Sequence, residues 1–224
     1  MGTSSARRAP TTRFWRRAKG AAARYLGVGL EAREVVARYL AALGEDTGSG
    51  RQGLLAGFRL TRKAGQNLGA FVGDVATRGW DAALEAWGLS GEAGPPREIA
   101  APALAGALLE PDGSLEGAVA RSSLAAVLQD VGPPAKVAPA QAVSRFLAES
   151  LYQRLVLDLG EPLEAASLSC GHLWEGLDGL RSWITGAAAV QQPDEPPTPE
   201  QWRGLAGWTW VSLTLENMLE RLLK

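Results

Sequence analysis

The side chains that could perform nucleophilic or acid–base catalysis are few in this chain of 224 residues. Cys170 is its one cysteine and His172 its one histidine. Any mechanism that pairs a serine or cysteine nucleophile with an imidazole would therefore have to use His172. Residues two positions apart on a short segment rarely reach catalytic geometry, and no glycine-flanked serine accompanies them. We therefore predict a structural or surface role for this pair, no catalytic residue and no enzymatic activity.

Metal-binding motifs are equally weak. A zinc site with four Cys or His ligands needs more thiols and imidazoles than the chain contains. The carboxylates of Glu161, Glu164, Glu175 and Asp178 come without a His-containing ligand motif, so they are most simply a solvated acidic face. The sequence predicts no metal site.

Two sets of glycines have suggestive spacing. The segment 48–53 (GSGRQG) spells GxGxxG, but this fingerprint binds a dinucleotide only between a strand and a helix, and the residues before it predict helix. We interpret it as a connector and predict no cofactor. Gly65, Gly69 and Gly73 lie four apart, which places them on one helical face and permits close approach of another helix.

The N-terminus offers a nucleophile of another kind. Gly2 is small, so removal of Met1 would leave its α-amino group free, with a reference pKa of about 7.7 to 8.0 and an appreciable neutral fraction near pH 7. The myristoylation pattern requires Ser or Thr at position 6, where this chain has Ala6. Lipidation of Gly2 is therefore disfavoured.

Basic residues are concentrated near the N-terminus. Residues 1–80 contain 14 Lys or Arg against 5 Asp or Glu, although the whole chain carries a formal charge of −1. Such asymmetry favours attraction between the two halves or a protein partner, and it also fits nucleic acid or an anionic membrane surface. The candidates for phosphate or partner binding are Arg13, Arg16, Arg17, Lys19, Arg24, Arg59, Arg62 and Lys63.

Apolar residues recur at spacings of three and four, and no convincing alternating strand is present, so the sequence predicts an all-α, irregular multi-helix protein. We expect a flexible tail over 1–12, a basic helical region over 13–90 and an acidic helical domain over 97–224 with a Pro-rich linker at 191–199. The predicted helices cover 12–26, 31–43, two between 53 and 88, 97–109, 115–130, 139–159, one or two within 161–184, and 200–224. A loop is predicted over 44–53.

Three of these helices have a specific expected geometry. In the first helix, Trp15, Ala18, Ala22 and Leu26 share one face. Ser114 is the expected N-cap of helix 115–130. In helix 139–159, a buried face is expected because Val143, Leu147, Leu151, Leu155 and Leu159 recur at every fourth position.

A membrane span would need about 20 consecutive apolar residues, and charge, Gly or Pro interrupts the Ala-rich stretches well before that length. No apolar run follows Arg7 and Arg8, so neither a secretory nor a twin-arginine signal is predicted. We expect a soluble, cytoplasmic protein without membrane contact.

Several segments together resemble a known family. In chain order, the segments are 1–5 (MGTSS), 13–17 (RFWRR), 57–65 (GFRLTRKAG), 110–114 with the following 116–121 (EGAVAR), and 149–160 (ESLYQRLVLDLG). The chain is similar to the QatB family of the four-component bacterial QatABCD anti-phage defence system. The resemblance covers most of the chain, and its strength lies in the order of the segments rather than in any one of them.

The resemblance implies a non-enzymatic defence component that acts beside an ATPase, a QueC-like enzyme and a TatD-like nuclease. A QueC-like enzyme activates a carboxylated deazaguanine with ATP, and in defence relatives it is thought to join this base to an N-terminal glycine. By that analogy Gly2 would be the acceptor, and Thr3 and Ser4 would be the tail residues that the enzyme recognises. The alternative is a nucleic-acid-binding adaptor that uses the basic residues of 13–24 and 59–63 to bring DNA or RNA to the nuclease.

Overall fold

The computed structural model describes residues 12–46, 50–89, 97–131, 137–170, 172–190, 193 and 195–224. Within these ranges the chain forms ten α-helices, one 3₁₀ turn (Gln201–Arg203) and no β-strand, which confirms the all-α prediction. The predicted tail, except Thr12, lies outside the described residues. The helices are α1 (Arg13–Val28), α2 (Ala32–Asp46), α3 (Gly50–Ala56), α4 (Arg59–Arg78), α5 (Trp80–Ala86), α6 (Arg97–Leu108), α7 (Leu115–Val131), α8 (Pro139–Cys170), α9 (Leu173–Val190) and α10 (Leu205–Leu223).

Helix α1 begins and ends for local reasons. The Thr12 hydroxyl caps its first turn by accepting a hydrogen bond from the Trp15 amide at 3.4 Å. Gly29 ends the helix with a φ of 73°, a left-handed conformation that glycine adopts without steric cost. The predicted apolar face is confirmed, because Trp15, Ala18, Ala22 and Leu26 are all buried.

Helix α8 is longer than predicted. It passes through Gly160 and Pro162 and ends only at Cys170, so the predicted end at 159 was wrong. A proline inside a helix removes one backbone hydrogen bond and costs about 3 kcal/mol. The buried stripe compensates for this loss because it continues across the proline, from Leu159 to Leu163.

Other helix boundaries also differ from the predicted ones. The predicted loop 44–53 was wrong at both ends, since α2 continues to Asp46 and α3 begins at Gly50. Three helices rather than two occupy residues 50–86. The N-cap prediction for α7 is confirmed, because the Ser114 hydroxyl accepts a hydrogen bond from the Gly117 amide at 3.0 Å.

The core surrounds α8. Helices α1 and α4 from the basic half and α7 and α9 from the acidic half all pack against it. One cluster of buried apolar side chains includes residues from both halves, among them Tyr39 and Phe71 together with Phe146 and Trp202. The proposed division at residues 90–96 lies outside the described residues and stays a prediction.

The glycine face of α4 is where α10 and the 3₁₀ turn approach closely, as its spacing predicted. A Cβ at Gly65 would lie 3.1 Å from Val211, one at Gly69 would lie 2.2 Å from the ring of Trp202, and one at Gly73 would lie 3.2 Å from the backbone of Pro199. These glycines therefore allow the C-terminal segment to pack against the middle of the chain.

Candidate functional site

The cationic side chains of α1 lie on its outer surface. Arg13, Arg16, Arg17 and Arg24 are exposed, and Lys19 is half-buried. Helical geometry places Arg13, Arg16, Arg17 and Arg24 on one face, opposite the buried face that contains Trp15. The Arg13 guanidinium lies 5.4 Å from the centre of the Phe14 ring. This arrangement presents a row of positive charge to solvent.

Contacts at both ends fix the orientation of α1. Near its start, the Trp15 indole donates a hydrogen bond to the Asp46 carboxylate at the end of α2, and its ring meets Tyr39 edge-on at 5.9 Å. Near its end, the Tyr25 hydroxyl donates to the Gly176 carbonyl of α9 at 2.9 Å. Trp15 and Tyr25 therefore have packing roles and anchor the helix to the rest of the fold.

The second basic cluster, at the start of α4, has a different environment. Arg59 and Lys63 are exposed. Arg62 instead packs its guanidinium 4.6 Å from the centre of the Trp208 ring and donates to the Ser212 hydroxyl at 3.3 Å, and burial lowers its pKa. Arg62 is thus engaged with α10, whereas the arginines of α1 extend from a helix that packs on α2, α8 and α9.

The residues weighed for catalysis and metal binding are dispersed. His172 is exposed, and its Nδ1 lies 2.9 Å from the Glu175 carboxylate. The side chain of Cys170 lies outside the described residues. In the part of the chain that the structure describes, no three His, Cys, Asp or Glu residues come together as a metal site requires. Gly2, Thr3 and Ser4 also fall outside the described residues, so their roles stay predictions.

Glu116 has a structural role that its position in the sequence did not predict. Its carboxylate accepts a hydrogen bond from the Thr61 amide at 3.0 Å, in the first turn of α4. The residue before α4, Phe58, provides no side-chain cap, so Glu116 supplies the acceptor from α7. Burial raises the pKa of Glu116. The only sequence signal was an acidic residue in the first turn of a predicted helix.

A buried polar cluster joins α2 to α8, and the sequence did not predict it either. The Tyr39 hydroxyl and the Arg154 Nε both donate to one oxygen of Asp158 at 2.9 Å. Burial and the nearby charge of Asp158 raise the pKa of Tyr39 well above its usual value. The sequence signal was Asp158 itself, a carboxylate between Leu157 and Leu159 with Arg154 four residues earlier.

An apolar groove of about 470 Å³ opens between α2, α3 and the C-terminal part of α10. Three carboxylates and one ammonium group stand among its lining residues. The lining consists of Leu40, Ala41, Gly44, Glu45, Leu54, Leu55, Glu216, Leu219, Glu220, Leu223 and Lys224. Grooves with this mixture of apolar floor and charged edge are suited to binding a peptide segment.

Together these features define an all-α protein whose described surface includes a cationic helix face and an apolar groove. The chain belongs to the QatB family, since the family model described as "Qat anti-phage system associated protein QatB" matches residues 49–203. It is accordingly a component of a multi-component anti-phage defence system. Neither the curated proteins nor the solved structures include a match to this chain.

The matched range contains three of the segments on which the resemblance was based, 57–65, 110–121 and 149–160. The opening 1–5 and the basic segment 13–17 precede it. None of the described helices is both long enough and apolar enough to span a bilayer.

Proposed function

We propose that this protein is a non-enzymatic accessory component of its defence system and that Gly2 is the acceptor of a deazaguanine attached by a QueC-like partner. The observation that carries the proposal is membership of the QatB family. The position of Gly2 is compatible with this role, because it precedes Thr12, the cap of the first helix, by ten positions. A segment of that length can reach the active site of a partner enzyme.

The proposed chemistry is an acyl transfer. The carboxylate of the deazaguanine attacks the α-phosphate of ATP in the partner, which forms an acyl-adenylate and releases pyrophosphate. The neutral amine of Gly2 attacks the acyl carbon, an amide bond forms, the bond to the phosphate breaks, AMP leaves and the surplus proton passes to a base of the partner. This chain contributes the nucleophile, and Thr3 and Ser4 contribute the residues that the partner recognises. No cofactor is held by this chain in the proposed reaction.

The proposal places the protein in the cytoplasm with three partners, the QueC-like enzyme, an ATPase and a TatD-like nuclease. The test is to coexpress it with its neighbouring genes and to measure its intact mass, followed by fragmentation of the N-terminal peptide. We expect an adduct of deazaguanine size on Gly2 that disappears when the QueC-like gene is omitted.

Two variants sharpen this test. Gly2→Glu retains Met1, because the larger side chain blocks its removal, and should abolish both the adduct and defence. Ser5→Glu makes the same charge change three residues later and should leave the adduct in place. An unmodified Gly2 in cells that resist phage would refute the acceptor role.

A second candidate function is supported by the exposed arginines of α1. A row of Arg13, Arg16 and Arg17 beside Phe14 can follow a phosphate backbone and stack on a base, as single-strand binding surfaces do. Under this alternative the protein is an adaptor that brings DNA or RNA to the nuclease.

Binding of a fluorescent 20-nucleotide single strand at increasing salt tests the adaptor role. Replacement of all three arginines by Glu should remove a salt-dependent affinity, because phosphate contacts release counterions. A matched control replaces the exposed Arg33, Arg78 and Arg145, which lie on three different helices, by Glu. Equal losses in the two triple variants, or no affinity in the parent protein, would contradict a specific role for α1.

A further inference from the structure

We propose that the groove between α2, α3 and α10 binds the N-terminal segment of the same chain, residues 1–11, with Arg7 and Arg8 over its acidic edge. The inference goes beyond the function proposed above and does not require that Gly2 be modified. It rests on where this segment enters the described fold, how far it reaches and which side chains it carries.

The segment enters the described fold next to the groove. Thr12 caps α1, and the ring of Trp15 in the first turn is hydrogen-bonded to Asp46 at the end of α2. The neighbouring residue Glu45 lines the groove. In addition, Ala41 lines both the groove and a cleft formed with Phe14 and Arg17 of α1. A continuous path of surface therefore leads from the start of α1 past Ala41 into the groove.

The length of the segment is sufficient. An extended chain advances about 3.3 to 3.6 Å per residue, so Arg7 and Arg8 can lie up to roughly 13 to 18 Å from Thr12. Along α2, Ala41 and Asp46 are separated by only about 7.5 Å of helix rise. Because Glu45 at the edge of the groove is next to Asp46, which accepts the hydrogen bond from Trp15, Arg7 and Arg8 can reach this edge while Thr12 stays in place as the cap of α1.

The side chains of the segment and the groove are complementary in charge. The described groove residues include Glu45, Glu216 and Glu220 against Lys224, so the edge is acidic in sum. Glu216 and Glu220 also interact with other groups of the chain, and the proposal relies on the overall charge rather than on either of them being unpaired. Arginine can lay its aliphatic stem along leucine side chains while its guanidinium meets a carboxylate.

The apolar part of the segment consists of small residues. Ala6, Ala9 and Pro10 flank the two arginines and add apolar surface without bulk. Of the leucines in the groove, Leu223 is 46% exposed, so it is a side chain that an occupant would cover. Binding of the segment would thereby remove apolar surface from water at the C-terminal end of α10.

Limited trypsin digestion of the full chain tests the proposal, because trypsin cleaves after Arg7 and Arg8. The loss of residues 1–7 or 1–8 is followed by intact mass, and a synthetic peptide of residues 2–12 gives the rate for an unbound segment. Cleavage of a bound segment is limited to its open fraction, so we expect the parent chain to be cut about tenfold more slowly than the peptide. Leu223→Asp should raise the rate close to that of the peptide.

The matched control is Leu213→Asp, because Leu213 lies on the same helix, is 43% exposed and does not line the groove. It should leave protection unchanged. If Leu223→Asp proves unfolded by circular dichroism, Ala41→Arg on the exposed surface of α2 replaces it and should deprotect the segment by filling the path and repelling Arg7 and Arg8. Cleavage of the parent at the peptide rate, or equal rates in the groove and control variants, would overturn the proposal.

Discussion

At the scale of single residues, the lack of a side chain at Gly69 allows α4 to pack against the 3₁₀ turn. The ring of Trp202 occupies the space that a side chain at position 69 would need, and Trp202 is completely buried and packs edge-on against Trp210 at 5.3 Å. The sequence predicted that the glycine face of α4 would be closely packed. It could not identify Trp202 as the partner, because the two positions are far apart in the chain and only tertiary packing joins them.

Gly69→Ala should therefore destabilise the protein. Alanine favours a helix over glycine by about 0.8 to 1.0 kcal/mol. The added Cβ would lie 2.2 Å from a ring that has no room to move, and overpacking of this kind costs about 1 to 3 kcal/mol or more. We expect a net loss of about 1 to 2 kcal/mol in the free energy of unfolding, measured by urea titration with an unchanged m-value.

Gly20→Ala on α1 is the matched control, since a Cβ at Gly20 would meet no atom within 4 Å. Only the helix propensity then changes, and we expect a gain of about 0.5 to 1 kcal/mol. Stabilisation of both variants would show that the contact between α4 and the 3₁₀ turn is looser than described.

At the scale of elements, the sequence predicted the kinds of structure better than their ends. Periodicity located the buried stripe of α8, but the helix continues eleven residues beyond the predicted end at 159, past Gly160 and Pro162, which are common helix stop signals. Those signals are local, whereas Leu163 beyond the proline is buried by other elements. The start of α4 shows the same limit, because its cap comes from Glu116 on a different helix.

Two variants of Glu116 should separate its role as a cap from its charge. Glu116→Ala removes the acceptor for the Thr61 amide, and loss of a cap costs about 0.5 to 2 kcal/mol. Glu116→Gln keeps an acceptor and should retain most of the stability. Urea titration at pH 7 measures both differences.

The pH dependence of Glu116→Gln follows from the raised pKa of Glu116. The pKa of Glu116 is higher in the folded state than in the unfolded state. The stability that this carboxyl group contributes is therefore fully present below the unfolded pKa and is lost as the pH rises through the folded pKa. Relative to the parent, the Gln variant should therefore gain stability between pH 4 and pH 7. If the Gln variant instead lost stability relative to the parent over this pH range, the attraction of the Glu116 carboxylate to Arg62 and Arg154 would outweigh the cost of burying its charge.

At the scale of the whole molecule, the contrast in charge between the halves coexists with a shared core. The buried cluster runs through both halves, and polar contacts such as Tyr25 to Gly176 and Tyr39 to Asp158 connect them. The ion pair between Arg203 and Asp74 also joins the halves, but with a sign opposite to their overall charge. The sequence left open whether the halves attract each other or bind partners, and the exposed arginines of α1 keep charge available for a partner.

The hydrogen bond from Tyr39 to Asp158, which connects the two halves, should make the stability of the protein depend on pH. Burial and the charge of Asp158 raise its pKa well above the unfolded value of about 10. The stability from neutral Tyr39 is therefore fully present below pH 10 and is lost as the pH rises through the folded pKa. Over that window one such group changes the free energy of unfolding by up to about 1.4 kcal/mol per pH unit, so the parent protein should lose stability steeply above pH 10.

Tyr39→Phe should flatten most of this alkaline slope, with the remainder coming from Tyr25 and Tyr152, whose pKa values burial also raises. It should cost about 1 kcal/mol at pH 7, because Asp158 loses one hydrogen bond but keeps that of Arg154. Urea titrations from pH 7 to pH 11 measure both effects. Tyr152→Phe is the control, since Tyr152 is only half-buried against Arg181 and burial raises its pKa less than that of Tyr39, so this variant should flatten the slope less. If the two variants flatten the alkaline slope equally, the buried contact between α2 and α8 is not its source, and the halves would be joined by apolar packing alone.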